Sequence, residues 1–212
     1  MTDQLPAVGD TAVLVATRNV LHRVAEEVVS PARVAATGNE IALEPRPGGF
    51  GTPPFPGGGE VRVERTELVT VAPDGTERRE PLDVDAGAAA LLARFWAFSA
   101  QTLEVLRGEA RAHDDATPVI LWPEHFDVAI ELGPEGRRAT YGGSPGDEHH
   151  ELPYLYVAPC QDPPPGSGPW DAVGFRGAEL GYRRLAAAPD PQALALEWFR
   201  ALRDAVQTVR AP

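Results

Sequence analysis

The short links between strand-like runs constrain this chain more than any other feature. In the second half, Phe126, Val128, Ile130 and Leu132 alternate with other residues, a turn follows at 133–136, and residues 137–141 resume at once. Residues 153–158 alternate again, and 173–175 with 178–182 read as a hairpin broken at Gly177. In the first half, runs at 60–63 and 67–72 lead through Pro73-Asp74-Gly75 to a run at 76–80, and a weaker run spans 35–43. Parallel pairing needs a crossover of a dozen or more residues, usually a helix. Nearly all these links are too short, so the sheets are predicted to be antiparallel.

Three segments carry helical spacing. In residues 10–29, Val13, Val20, Leu21, Val24 and Val28 share a face, Asp10 suits the N-cap, and Ser30-Pro31 is expected to end the helix. In residues 85–107, Ala88, Leu91, Leu92, Phe95, Phe98, Thr102 and Leu106 form a broad stripe, and Gly108 suits the C-terminal cap. In residues 191–209, Leu194, Trp198, Ala201, Leu202, Ala205 and Val209 recur behind an Asp190 cap and a leading Pro191. The fold class is therefore α+β, with antiparallel sheets and three main helices. A boundary near 81–85 divides a helix plus small sheet (1–80) from a helix–sheet–helix unit (84–212), and the two can close into one compact domain. The Gly/Pro-rich stretches 46–59 and 162–169 read as irregular. For the first, the readings are a mobile surface loop or a lid contacting through Phe50 and Phe55.

Charge and composition exclude several function classes. The net charge is −12, which repels a phosphate backbone and argues against nucleic-acid binding. All 19 basic residues are arginine, so no lysine Schiff base can form and no P-loop lysine is present. The single Cys160 rules out an intrachain disulfide and a cysteine-based zinc site. No apolar stretch reaches the roughly 18 residues of a membrane span, and the first residues lack a signal-peptide pattern. A cytoplasmic location is expected, with no membrane or nucleic-acid partner; oligomeric state is open.

The phrases LHRVAEEVV, GGFGTPPF and VRVERTELV within 21–69, LWPEHFDVAI at 121–130 and YGGSPGDEHHELPYLYVAP at 141–159 resemble uncharacterised proteins of GC-rich, actinobacterial type assigned to domains of unknown function. The resemblance implies a bacterial protein and brings no activity, cofactor or residue role.

The residues themselves offer more. Gly142-Gly143-Ser144-Pro145-Gly146 matches G-x-S-x-G, but Pro145 has no N–H for an oxyanion and no helix pattern follows, so a tight turn is expected. If 125–127 continue a strand, His125 and Asp127 share a face opposite Phe126. Two imidazoles and a carboxylate are the donors of mononuclear iron sites, which makes His125, Asp127 and His149 a candidate metal set. Asp147-Glu148-His149-His150-Glu151 supplies further carboxylates and imidazoles for ligation or proton transfer. The hairpin between Leu132 and Arg137 would set Asp127 opposite Gly142 and bring this loop to the His125/Asp127 face. The expected site binds a small molecule between Trp122, His125, Asp127, Tyr141 and Glu148. The rival is a non-enzymatic interaction or structural protein whose polar residues merely solvate a sheet edge. Neither reading fixes a cofactor or an activity.

Overall fold

The computed structural model describes residues 4–161 and 170–208. Among these residues, ten strands form two antiparallel meanders of five, each in sequence order. The first contains β1 (Glu44–Arg46), β2 (Gly49–Gly51), β3 (Glu60–Glu64), β4 (Glu67–Val71) and β5 (Glu77–Pro81). The second contains β6 (Ile120–Trp122), β7 (Asp127–Leu132), β8 (Ala139–Ser144), β9 (Tyr154–Pro159) and β10 (Ala178–Gly181). Leu43 and Leu121 exchange backbone hydrogen bonds of 2.9 Å and link the two sheets. The helices are α1 (Thr11–Val24), α2 (Ser30–Thr37), α3 (Ala86–Gly108), α4 (Tyr182–Ala186) and α5 (Pro191–Thr208). The class is α+β with antiparallel sheets, as the short links require. No helix among the described residues is long and apolar enough to cross a membrane.

Helix α3 organises the core. Asp85 caps it by accepting from the Ala88 N–H at 2.8 Å. It packs on β1 and β2 of one sheet, β7 and β8 of the other, and on α1 and α5. Being enclosed on several sides, it buries more than the predicted stripe: Trp96, Ser99 and Leu103 are also inaccessible. Each large apolar side chain removed from water contributes about 1.5–3 kcal/mol.

The first helix does not stop at Ser30. A π turn over Ala25–Val29 carries it into α2, with the Ser30 N–H bonded five residues back to the Ala25 carbonyl. Pro31 cannot donate, and its ring would press on the carbonyl four residues earlier in a regular helix. The widened turn, with Pro31 in the opening turn of α2, lets the helix pass it. Residues 35–37 are thus helical, and no strand forms over 35–43 beyond the Leu43 bridge. The buried face is Leu14, Thr17, Arg18 and Leu21, whereas Val13 and Val28 are exposed. A charged residue within the inner face hid it from an apolar pattern.

On α5 the buried face is Ala195, Phe199, Leu202 and Val206. Leu194 and Trp198 are half-buried at its border and Ala201 is exposed, so the stripe is rotated by one residue; Val209 lies outside the described residues. Two interleaved apolar rows have the same spacing here, and contact with the sheet selects the one holding Phe199.

The glycine-rich stretch 46–59 contains a strand. Phe50 is fully buried, edge-on to Trp96 and Phe126 at ring separations of 5.6 and 5.1 Å, and so packs in the core and does not supply the surface contact of a lid. Gly49 and Gly51 let β2 approach β3 closely: a Cβ at Gly51 would lie 2.6 Å from the Arg62 Cβ, and one at Gly49 would strike the Val63 carbonyl. Residues 173–175 form bends, so the expected hairpin reduces to β10 alone. The stretch 162–169 lies outside the described residues.

Candidate functional site

The second sheet has two unlike faces. Ile130, Tyr141 and Val157 form one cross-strand row, and Val128, Gly143 and Leu155 the next. This face meets the helices: Tyr141 packs edge-on against Phe199 at 5.9 Å, and a Cβ at Gly143 would reach Ser99. The other face carries Asp127 on β7, Gly142 and Ser144 on β8, and Tyr154 and Tyr156 on β9. A cavity of about 450 Å³ lies over it. His125 enters from the β6–β7 turn, Asp147, Glu148 and His149 from the β8–β9 loop, and Val173 and Phe175 from the segment before β10.

Asp127 is the central group. It is 5% exposed. The Tyr156 hydroxyl donates to its Oδ2, and Oδ1 is buried without a hydrogen-bond partner. Burial holds the Asp127 carboxyl above the usual carboxylate range, although the Tyr156 hydrogen bond and His125 pull it down. Burial and the neighbouring carboxylate likewise push the Tyr156 phenol well up.

The turn before Asp127 departs from simple alternation. Phe126 has φ 56°, a left-handed conformation unusual for an aromatic residue. Its N–H closes the turn on the Trp122 carbonyl at 2.7 Å. Its ring is fully buried, stacked on His22 at 5.0 Å and edge-on to Trp96 at 4.7 Å, whose indole N–H donates to the Phe126 carbonyl. These contacts hold the strained residue in place. His125 is thereby off the strand and exposed, yet still at the cavity with Asp127.

The β8–β9 loop is braced from below. Asp147 Oδ1 accepts from the His149 and His150 N–H groups and contacts His150 Nδ1 at 2.9 Å. The Tyr154 hydroxyl donates to Asp147 Oδ2 at 2.5 Å, and His150 Nε2 meets Glu179 Oε2 at 2.9 Å. Burial alone would raise the Asp147 carboxyl, but the hydrogen bonds from Tyr154 and His150 outweigh it and hold Asp147 below its ordinary value. Arg18, buried on α1, donates to the His150 carbonyl at 3.0 Å and the Asp147 carbonyl at 3.2 Å. Gly146, at φ 104°, leaves room for that guanidinium, which a Cβ would strike.

His125, Asp127, Glu148 and His149 therefore share one cavity. Tyr141 does not join them, because strand alternation turns it onto the helix face. Trp122 pairs with Asp127 across β6 and β7 but does not line the cavity. The β7–β8 turn is longer than expected: Leu132 pairs with Ala139, so Gly142 faces Ala129 and Asp127 falls beside Ser144. Gly142, Gly143 and Ser144 are strand residues, and the Ser144 hydroxyl accepts from the Gly146 N–H at 3.2 Å where the chain turns. Among the described residues, no group of three or more His, Cys, Asp or Glu is arranged to hold a metal ion. Tyr154 and Tyr156 were legible as alternate residues of a strand. Phe175, Arg18 and Glu179 were not, since nothing local ties them to the site. No protein-family model, curated protein or solved structure matches the chain.

Proposed function

We propose that the protein binds a small organic molecule in the cavity over the outer face of the second sheet, with Asp127 as its anchor. The observation that carries this reading is Asp127 Oδ1, buried without a partner in a residue that lines the cavity. An unsatisfied buried polar atom costs about 1–3 kcal/mol, which a ligand donor would recover. The volume of about 450 Å³ lies within the usual range of small-molecule pockets, about 300–1,000 Å³. A metal is a poorer occupant, because Tyr156 holds one Asp127 oxygen and no chelating group is assembled among the described residues. Against a polar surface that merely solvates a sheet edge stands the burial of Asp127 itself.

A thermal-shift screen of small metabolites tests the reading, because a ligand of the native state raises the melting temperature by mass action. Compounds should stabilise the wild-type protein and lose that effect in Asp127→Asn. A broad screen without hits, or hits that stabilise Asp127→Asn equally, would overturn it.

A further inference from the structure

Resting on that binding reading, we infer that the ligand is an organic cation with a primary amine, its ammonium group directed to the Asp127 carboxyl and its apolar part laid on the Tyr154, Tyr156 and Phe175 rings. Three features of the cavity select this class.

The first is charge. Three carboxylates, Asp127, Asp147 and Glu148, line the cavity, and among the described residues no guanidinium does. The chain carries a net charge of −12. Arg18 lies beneath the loop, near the Asp147 carboxylate, but is not in the lining. An anion would meet the lining carboxylates with no guanidinium to pair with among the described residues, and a neutral ligand would gain nothing from the field. A cation gains from both the local carboxylates and the wider potential.

The second is the aromatic wall. The Phe175 ring stacks on Tyr154 with centroids 6.2 Å apart and stands edge-on to Tyr156 at 5.8 Å. Ring faces attract ammonium groups within about 6 Å of their centroids and also pack apolar carbon. These rings touch one another and form a continuous wall, not a box open at its centre. A quaternary ammonium, which depends on being surrounded by rings, is poorly served.

The third is donor demand. Asp127 Oδ1 has no partner, and Asp127 Oδ2 takes only the Tyr156 hydroxyl. A primary ammonium brings three N–H donors to that carboxyl, and charge-assisted hydrogen bonds are about twice as strong as neutral ones.

The test uses three probes of one shape on the full chain: benzylamine, benzyl alcohol and benzoate. Each is titrated at neutral pH while the backbone amide resonances of Asp127, Ser144, Tyr154 and Tyr156 are followed by NMR. Benzylamine should shift these resonances with an affinity about tenfold or more above that of benzyl alcohol, the scale of one charge-assisted contact, and benzoate should bind most weakly. Asp127→Asn keeps the shape and a partner for Tyr156, and should bring benzylamine down to the alcohol's affinity. If the alcohol or benzoate binds at these residues as well as the amine, or if Asp127→Asn keeps the amine preference, the cation inference is wrong while the cavity remains a binding site. Silence from all three probes at millimolar concentration overturns the cation inference, and an empty metabolite screen would remove the binding reading separately.

Discussion

The Tyr156 side chain crosses an entire strand to reach Asp127. Asp127 lies on β7 and Tyr156 on β9, with β8 between them. Two strand spacings amount to roughly 9.6 Å, and the phenol bridges them by lying flat over Gly142. A Cβ at Gly142 would sit 2.5 Å from the ring. The hydrogen bond that positions Asp127 therefore depends on an absent side chain one strand away.

Gly142→Ala should displace Tyr156 and break its bond to Asp127. Its backbone angles suit any residue, so the cost arises from space, at about 1–3 kcal/mol of unfolding free energy. The check is a double-mutant cycle with Tyr156→Phe in urea. Removing the hydroxyl should destabilise the parent and have little further effect in Gly142→Ala; full additivity would show the two positions to be independent.

Asp127 and Asp147 should act on stability with opposite signs. The folded-state carboxyl of Asp127 is raised by burial, so its contribution is fully present below the unfolded value and is lost as pH rises through the folded one. Asp147 is depressed, so its contribution is present above the unfolded value and is lost as pH falls through the folded one. Asp127→Asn should therefore raise the melting temperature at about pH 8 by more than at about pH 4, by about 2–4 °C for each kcal/mol regained. Melting curves across this range decide the point; an Asp127→Asn effect that does not change with pH would contradict it. Glu124, His125 and Tyr156 act on the Asp127 carboxyl, with Asp147 and Glu148 lining the same cavity, and the same substitution made in His125→Ala separates the imidazole's contribution.

Arg18 should govern the order of the β8–β9 loop. Arg18→Ala leaves the Asp147 and His150 carbonyls without their charged donor, at about 2–3 kcal/mol. Hydrogen exchange should accelerate at the His149 and His150 amides, which donate to Asp147, while the β3–β4 pairing keeps its protection. Unchanged exchange in the loop would show that Asp147 and Tyr154 hold it without α1.

On α5, Phe199 should matter more than its neighbour. Phe199→Ala removes a fully buried ring against Tyr141 and should cost about 3–5 kcal/mol. Trp198 is half-buried, and Trp198→Ala should cost less. Chemical denaturation of both variants gives the order, and a larger loss for Trp198 would restore the face first read from the sequence.

The sequence alone determined the antiparallel sheets, because links of a few residues leave no room for crossovers. It also determined the three main helices and the Asp10 and Asp190 caps, which depend on neighbours within a turn; the Asp85 cap came from the structure, which also carries α3 through Gly108, the expected C-terminal cap, so that Glu109 caps it instead. The approach of the 147–149 loop to His125 and Asp127 followed from one hairpin, even though its register was two residues off. What only the tertiary structure decided is which face each helix buries, whether Gly49 and Gly51 form a loop or a closely packed strand, and where Tyr141 points. It alone joined Arg18, Phe175 and Glu179 to the site. The physical reason is range: links, caps and alternation are set by bonded neighbours, whereas two apolar rows of equal spacing, or a glycine that is either free or pressed against a strand, differ only in what distant residues pack on them.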